Sequence, residues 1–331
     1  RLMIIEELFE QFNRLKVAVV GDVMIDAYLM GKVNRISPEA PVPVVSLTKH
    51  EERLGGAANV ALNLVALGAT PIMCSCVGKD KDGKLLIELL KKANISDEGI
   101  VFSENRMTTV KTRVLGNSQH LLRIDAEQTD AISHDEETAL INRVQSLLDQ
   151  EIDILIFEDY NKGVLTKRVI SELIEAAKQK NTLTAVDPKK DNFFEYKGVT
   201  LFKPNLKELI EGTNVAFSFR DHPEKLQEAI AVLEEQLGND ISFVTLSEHG
   251  VFIRNRSEAY HIPAHVRNIS DVSGAGDTVI SVAALCLASG APIQQVAAIA
   301  NIAGGLVCEE SGVVSIDKKK LLNEAKKLIV E

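Results

Sequence analysis

The alternation of short apolar runs with amphipathic stretches is the feature that most constrains the fold of this chain. β-Branched runs that predict buried strands lie at residues 16–20, 70–77, 152–157, 183–186, 200–202 and 241–246. Helical periodicity is present at 2–12, 57–67, 81–92, 135–148, 167–178, 206–210, 224–237, 275–288, 293–309 and 318–330. Strands that alternate with helices predict an α/β fold, in which helices cover both faces of a mostly parallel sheet.

Length and charge exclude some classes of protein. The 331 residues are 45% hydrophobic and 25% charged, which is typical of a globular protein with a large core. The net charge of −10 leaves no basic surplus for a general nucleic-acid surface. No apolar run reaches membrane-spanning length and no signal peptide is recognised, so we expect a cytoplasmic protein without a membrane partner. The four cysteines lack metal-ligand spacing and are predicted to be buried thiols.

Two segments interrupt the alternation and predict a small second sheet. Prolines between residues 28 and 48 forbid a helix there. Residues 108–115 and 120–125 predict a hairpin around Gly116, Asn117 and Ser118. Because these pieces are too short to bury a core of their own, we interpret segments 27–49 and 106–125 as a β-sheet lid. Such a lid would cover the carboxyl ends of the main strands, where open α/β sheets bind ligands.

A glycine-rich turn precedes the most apolar helix of the chain. Gly274 and Gly276 allow close approach of a ligand to the backbone, and the helix start adds unpaired N–H groups that attract an anion. Asp277 follows in the first helical turn. A carboxylate beside an anion site suits a base that removes a proton from a hydroxyl attacking a phosphate. The structural alternative is a helix start with an acidic residue favoured by the helix dipole.

Polar residues near two other predicted element ends are candidates for ligand binding. Asp26 follows the first strand, where its carboxylate is placed to accept hydrogen bonds from sugar hydroxyls. Gly55 and Gly56 open a helix that carries Asn59, which brings backbone and an amide side chain close to a ligand. Turn chemistry at the strand end and close packing at the helix start are the alternatives.

Asn205 and Glu208 lie one helical turn apart and share a helix face. Their oxygens suit a hydrated Mg²⁺ beside phosphates, because Mg²⁺ takes few protein oxygens and keeps several waters. The same spacing also predicts a capping box, in which the two residues only close the start of the helix.

Basic residues collect in the predicted lid and in one loop. Lys111 and Arg113 alternate along a lid strand and therefore face the same side, and Arg35 and Arg123 lie in the same sheet. Lys162 lies in the loop after the strand at 152–157. In an acidic protein this grouping favours an anionic substrate, although each residue alone would fit a solvated surface charge.

Two common nucleotide-binding motifs are absent from the sequence. No G-x-x-x-x-G-K-[ST] loop occurs, and no G-x-G-x-x-G follows the first strand. The second absence counts against a nicotinamide-dependent oxidoreductase, and any nucleotide site must be built differently.

These separated motifs resemble the ribokinase-like (phosphofructokinase-B type) sugar kinases over nearly the whole chain. Segment 55–59, with Gly68 and Gly78 at the expected distances, resembles the first family signature, and segment 271–277 resembles the second. The resemblance implies a single three-layer α/β/α kinase domain over residues 1–331, with the lid inside it, that phosphorylates a carbohydrate with ATP.

The resemblance also implies roles for individual residues. The catalytic base corresponds to Asp277, and its anion hole corresponds to Gly274, Ala275 and Gly276. Mg²⁺–phosphate handling corresponds to Asn205 and Glu208, with Glu208 acting on the metal through water. The sugar-binding groups correspond to Asp26, Gly55, Gly56 and Asn59. The nucleotide-binding groups correspond to Lys189, Thr245, Ser247, Gly250, Asn301 and Gly305, where many relatives have glycine in place of Ser247.

A narrower resemblance is to the bacterial D-glycero-β-D-manno-heptose-7-phosphate kinases. It rests on segments 21–26, 35–44, 159–163, 187–189 and 274–280. It implies formation of the 1,7-bisphosphate on the route to ADP-heptose for lipopolysaccharide, with Arg35, Lys111, Arg113 and Lys162 gripping the existing phosphate.

Several expectations remain open at this point. Another family sugar kinase, acting on fructose or ribose, and a non-catalytic sugar-binding protein are the alternatives. A monovalent cation and a homodimer formed through the lid are further expectations from the family. Because such kinases occur alone or fused to an adenylyltransferase, we expect a stand-alone kinase or the kinase part of a fusion.

Overall fold

The computed structural model of the chain describes residues 1–329 and places helices and strands in alternation along most of that length. The strands are β1 (Lys16–Gly21), β2 (Val23–Ile36), β3 (Pro43–Gly56), β4 (Thr70–Gly78), β5 (Ser96–Ser103), β6 (Val110–Gly116), β7 (Gln119–Ala126), β8 (Ile154–Glu158), β9 (Leu183–Asp187), β10 (Leu201–Phe202), β11 (Ile241–Thr245), β12 (Val251–Arg254) and β13 (Ala259–Ile262). The helices are α1 (Ile5–Phe12), α2 (Ala57–Ala66), α3 (Lys81–Lys92), α4 (His134–Leu148), α5 (Lys167–Gln179), α6 (Leu206–Thr213), α7 (Lys225–Leu237), α8 (Ala275–Ala288), α9 (Ile293–Cys308) and α10 (Lys318–Leu328). The predicted helix 318–330 therefore ends at Leu328, and its last predicted residue lies outside the described part.

The main sheet has the strand order β13-β12-β11-β10-β9-β8-β1-β4-β5 among the described residues. Strands from β11 to β5 pair in parallel, whereas β12 and β13 add antiparallel to one edge. Strand β1 lies between β4 and β8, so its carboxyl end opens at the middle of the sheet. This confirms the predicted α/β class.

Helices bury both faces of this sheet, which explains why its central strands are apolar throughout. Alternate residues of β1 serve two cores: Val17 and Val19 pack on the side of α2, α8 and α9, and Ala18 and Val20 on the side of α4, α5 and α7. A strand with both faces covered has no solvent side and so shows no polar alternation.

The smaller sheet has the order β3-β2-β6-β7 and corresponds to the predicted lid. Its hairpin turns at Asn117 and Ser118, whose φ values of 51° and 65° match the turn type that suits the twist of two antiparallel strands. The lid strands are longer than predicted, because β2 begins at Val23 and β3 continues to Gly56. The lid therefore grows directly out of the end of β1 and leads directly into α2.

Three strands were not predicted. Strand β5 forms one edge of the main sheet and β13 forms the other, next to β12, which is only four residues long. Edge strands have one unpaired side and a mixed composition, as in the Ser96-Asp97-Glu98 start of β5, so their hydrophobic pattern is weak.

Two further expectations concern the cysteines and membrane-spanning helices. All four cysteines are unpaired and buried, as predicted. Over residues 1–329, every helix is too short or too polar to cross a bilayer.

Candidate active site

Asp277 lies at the point where α8 begins and two other segments converge. Gly274 precedes the helix in the left-handed conformation, with a φ of 77°, which glycine adopts without strain. The Asp277 carboxylate is buried and accepts a hydrogen bond of 2.9 Å from the side-chain amide of Asn59. The Tyr160 hydroxyl donates to the same carboxylate, at 2.8 Å from Oδ1 and 2.9 Å from Oδ2. The structure thus brings Asp277 together with Asn59 and adds Tyr160, which sequence reasoning did not single out as a site residue.

The amides of the glycine-rich turn are only partly free. The Ser273 N–H donates to the Asp271 carboxylate at 2.9 Å, and the Ala275 N–H donates to the Val272 carbonyl at 3.3 Å. Among the described residues, the N–H groups of Gly274 and Gly276 have no acceptor. The turn itself uses the Ala275 donor, whereas the Gly274 and Gly276 donors point to no acceptor within residues 1–329, and the anion hole of Gly274, Ala275 and Gly276 stays a prediction.

Three buried carboxylates form the carboxylate centre: Glu158 at the end of β8, Asp187 at the end of β9, and Asp277. Each offers an oxygen, and these three oxygens lie within 4.8 Å of one another. Burial, followed by the nearby Asp187, raises the pKa of Asp277 to about 6. Burial, followed by Asp187 and Asp277, raises the pKa of Glu158 well above its ordinary value. The Lys203 ammonium lies 3.4 Å from Asp187 and supplies positive charge to this acidic cluster.

The carboxylate centre fits a hard divalent cation such as Mg²⁺. All its ligand atoms are oxygens, the donor type that Mg²⁺ prefers. Within the described residues, Oε2 of Glu158 is buried and has no hydrogen-bond partner, an arrangement that a cation would relieve. Sequence reasoning missed Glu158 and Asp187 as site residues. The available signal was that each is the last residue of an apolar strand, and that these two strands are neighbours in the sheet.

Asn205 and Glu208 form the capping box that was the structural alternative. The Asn205 side chain accepts from the Glu208 N–H at 2.7 Å, and Glu208 Oε1 accepts from the Asn205 N–H at 2.8 Å. The other oxygen of Glu208 lies 3.6 Å from the ammonium of Lys189. Burial raises the pKa of Glu208, so this acid is sensitive to a cation placed beside it. The cap thus orients Glu208 without using both of its oxygens.

The expected sugar-binding groups meet at the base of the lid. Asp26 accepts a hydrogen bond of 2.7 Å from Arg113. A Cβ atom on Gly55 would lie 2.2 Å from the Asp26 carboxylate, so only glycine leaves room for that side chain. Gly56 has a φ of 60° and links the lid to α2, which carries Asn59.

The predicted cationic groups are paired with acids rather than free. Lys111 lies 3.1 Å from Asp125 and 3.5 Å from Glu127. Lys162 lies 2.9 Å from Glu127, so one carboxylate joins the lid to the loop after β8. The Lys162 ammonium lowers the pKa of Glu127, which keeps that acid ionised. We call Asp26, Lys111, Arg113, Glu127 and Lys162 the lid base.

Arg35 is not part of the lid base. It is exposed and lies nine residues farther along β2 than Asp26. A strand rises about 3.3 Å per residue, so the two residues are roughly 30 Å apart. Within a single chain, the long strand β2 carries Arg35 away from Lys111, Arg113 and Lys162, so the structure does not bring Arg35 to the lid base.

The residues expected on the nucleotide side lie around β11 and α9. Thr245 ends β11, and Ser247 has a φ of 55°, a left-handed conformation that glycine would adopt with less strain than serine. Gly250 has a φ of 85° and begins the return into β12. The Asn301 amide donates to the Pro263 carbonyl at 3.0 Å. A Cβ atom on Gly305 would lie 2.6 Å from Nε of Arg267, a neighbour that sequence reasoning did not identify.

Asp22 anchors the loop that carries Tyr160 and Lys162. Its carboxylate accepts hydrogen bonds from the N–H groups of Tyr160, at 2.8 Å, and Val164, at 3.1 Å. Burial raises its pKa to about 6. Asp22 therefore orders a loop that lies far away in the sequence and close to the candidate base.

Known proteins support the fold and the family. Among solved structures, Escherichia coli phosphofructokinase-2 in complex with potassium aligns with a TM-score of 0.75 at 19% identity, covering 94% of this chain and 99% of that one. Arabidopsis thaliana ribokinase complexed with ribose and ATP aligns with a TM-score of 0.69 at 19% identity, covering 93% and 98%. These likenesses show the ribokinase-like fold.

Curated relatives are considerably more similar in sequence. The bifunctional protein HldE of Desulfatibacillum aliphaticivorans is 41% identical over 94% of this chain, and the chain spans 63% of that protein. HldE of Geobacter sulfurreducens is 38% identical over 96% of this chain and 64% of its own length. A sequence model described as pfkB family carbohydrate kinase matches residues 14–320. Together with the fold, these matches show that the chain belongs to the pfkB family of carbohydrate kinases.

Proposed function

We propose that this chain transfers the γ-phosphoryl group of ATP to a hydroxyl of a sugar phosphate, with Asp277 as the general base. The observation that carries the proposal is the buried Asp277 carboxylate beside the unpaired N–H groups of Gly274 and Gly276. A base beside free amides suits a reaction in which the attacking hydroxyl loses a proton while negative charge on a phosphoryl group is stabilised.

In the proposed reaction the acceptor hydroxyl passes its proton to a carboxylate oxygen of Asp277. Because burial raises the pKa of this group to about 6, it is ionised at neutral pH and more basic than an exposed aspartate. Asn59 holds the carboxylate in one orientation. The amides of Gly274 and Gly276 and the positive end of α8 stabilise the transferred group. Positioning and charge stabilisation dominate such transfers, which require little covalent work from the protein.

Mg²⁺ bound with ATP would neutralise phosphate charge and align the donor. Asp187 and Glu158 are the residues that would hold it directly, and Glu208 would act through water. We place the nucleotide along β11 and α9, where Thr245, Ser247, Gly250, Asn301 and Gly305 lie, with Lys189 facing the phosphates. A monovalent cation is compatible with this proposal.

The acceptor that we propose is D-glycero-β-D-manno-heptose 7-phosphate, which would yield the 1,7-bisphosphate for ADP-heptose synthesis. Two observations support it: identity of 41% to an HldE protein over 94% of this chain, and the basic groups at the lid base. The lysines are paired with Glu127, and an anionic acceptor would compete with that acid for them. The proposal concerns the kinase step alone.

A substrate panel tests the proposal directly. ATP consumption and product mass would be measured with mannoheptose 7-phosphate, sedoheptulose 7-phosphate, fructose 6-phosphate, fructose and ribose. We expect the highest kcat/KM with the heptose phosphate and addition of one phosphoryl group. Higher kcat/KM with fructose or ribose would establish another sugar kinase of the family. Binding of sugars without any ATP turnover would contradict the catalytic proposal.

We further propose a single cytoplasmic kinase domain that pairs with a second copy through the lid. Leu122 and Ile124 lie on the face of β7 opposite Arg123 and are 55% and 50% exposed. Burial of this apolar face against a second copy would stabilise a dimer. Analytical ultracentrifugation should show a dimer for the unmodified chain and a monomer for Leu122→Glu/Ile124→Glu. A monomeric unmodified chain would contradict this part.

A further inference from the structure

The Tyr160 hydroxyl covers the carboxylate that the proposed reaction needs to be accessible. It lies 2.8 Å from Oδ1 and 2.9 Å from Oδ2 of Asp277. The Asn59 side-chain amide donates a further hydrogen bond to Oδ2 of Asp277, at 2.9 Å. An ionised carboxylate offers about four acceptor positions, so little of Asp277 remains for another hydroxyl. An acceptor that is to give its proton to Asp277 therefore competes with the Tyr160 hydroxyl, which lies on both oxygens of that carboxylate.

The backbone of Tyr160 is fixed by hydrogen bonds, whereas its side chain is only partly buried. The Tyr160 N–H donates to the buried Asp22 at 2.8 Å, and the next residue, Asn161, donates from its N–H to Asp159 at 2.9 Å. The ring is half-buried, and the ammonium of Lys189 lies 5.6 Å from its centroid. Displacement of the hydroxyl then requires rotation of one side chain and no rearrangement of the loop.

On the basis of the proposed function, we propose that the Tyr160 hydroxyl is a removable plug on Asp277. It occupies the position that the acceptor hydroxyl takes, keeps water off the base while the acceptor site is empty, and rotates away when a sugar binds. Tyr160 is thus a residue that selects the sugar hydroxyl against water.

The need for such a plug follows from the size and chemistry of water. A water molecule is about as large as the tyrosine hydroxyl and would find a carboxylate, an amide and nearby charges in that position. Water held against a base beside bound ATP is a competing phosphoryl acceptor. Burial, followed by the charge of Asp277, raises the pKa of Tyr160 well above its ordinary value, so its hydroxyl keeps the proton that it donates.

The test is sugar-independent ATP hydrolysis by Tyr160→Phe. This change removes one oxygen and retains the ring, leaving a polar space of one water beside Asp277. Hydrogen bonds to charged groups contribute enough that we expect hydrolysis without sugar to rise about tenfold relative to the unmodified chain. The ratio of hydrolysis to sugar phosphorylation should rise by a similar factor, which a merely structural role would not produce.

Tyr196→Phe is the matched control. Tyr196 is fully buried, and its hydroxyl donates to Asp159 at 2.6 Å, so the variant also removes a tyrosine–aspartate hydrogen bond near the same loop. It leaves Asp277 untouched and should lower the melting temperature without changing the ratio of hydrolysis to transfer. Tyr160→Met, which also lacks the hydroxyl, gives a second measurement if Tyr160→Phe folds poorly.

The outcomes separate this inference from the proposed function. If Tyr160→Phe and Tyr160→Met hydrolyse ATP no faster than the unmodified chain, the plug is refuted. If the extra hydrolysis persists after Asp277→Asn is added, water is not being activated by that carboxylate and the plug is again refuted. If Asp277→Asn alone retains full sugar phosphorylation, the base assignment itself fails, whatever Tyr160 does.

Discussion

The carboxylate centre brings charges of like sign together in a buried place, whereas the lid base pairs charges of opposite sign closer to solvent. In the centre, Glu158 is 1% exposed and Asp277 is 6% exposed, and the pKa values of both are raised by burial. In the lid base, the side chains of Arg113 and Asp26 are 25% and 19% exposed, and acids and bases alternate. Burial therefore controls the chemistry of the centre, and charge pairing controls the lid base.

The difference has an energetic reason. Like charges taken out of water repel strongly and cost several kcal/mol each unless a proton or cation joins them. The pairs of opposite charge in the lid base, with side chains 13–25% exposed, neutralise each other and are partly screened by water. The centre is thus poised for a cation or proton, whereas the lid base can exchange partners at low cost when an anion arrives.

The largest expected effect is at the centre. Asp277→Asn keeps the shape and removes the base, so kcat should fall by about 10²–10⁴ while nucleotide affinity changes little. Steady-state kinetics with a nucleotide titration would measure both. Glu51→Gln, which alters a lid carboxylate paired with Lys49 and Arg53, is the control and should leave kcat close to its original value. Similar losses in the two variants would erase the distinction between the regions.

The next largest effect is expected at Asp22, which is buried like the residues of the carboxylate centre. Its pKa of about 6 exceeds the ordinary value of 3.8, so the folded state binds more protons than the unfolded state between these values. Its contribution to the unfolding free energy is therefore present below about pH 4 and is lost as pH rises to about 6, by roughly 3 kcal/mol. Denaturant unfolding from pH 4 to 7, compared with non-titrating Asp22→Asn, would measure the difference. A difference independent of pH would contradict this assignment.

A smaller effect is expected at the lid base. Lys111→Met removes the ammonium that an acceptor phosphate would contact, so KM for the sugar phosphate should rise about tenfold with kcat nearly constant. KM for ATP should not change. Lys49→Met, a lid lysine whose side chain is 61% exposed, provides the comparison and should have no effect on either KM. Equal increases for sugar phosphate and ATP would mean that Lys111 only holds the lid together.

The smallest effect is expected where the lid is most exposed. Arg123 pairs with Asp125 at 2.9 Å with 58% of its side chain exposed, so Arg123→Ala should change the unfolding free energy by less than about 1 kcal/mol. Thermal unfolding would measure it. A larger loss would show that desolvated charge contributes to stability even at this exposed pair of the lid.

Sequence reasoning succeeded where the signal is local. The glycine turn, the helix that begins at Ala275 and the capping box at Asn205 each depend on neighbours within a few residues. It failed for β5 and β13, because edge strands need not be apolar on both faces. It also placed Arg35 with Lys111, because spacing along the chain does not reveal how far a lid strand extends.

The sequence by itself determined the α/β architecture, the lid and the position of Asp277 at a helix start, since periodicity and turn chemistry act over short distances. Only the tertiary structure decided that Tyr160, 117 residues earlier in the chain, covers Asp277, and that Asn59, 218 residues earlier, holds it. The physical reason is that parallel strands bring distant segments to one edge of the sheet. Because the Asp277 carboxylate is buried there, each of these contacts affects its pKa and its orientation.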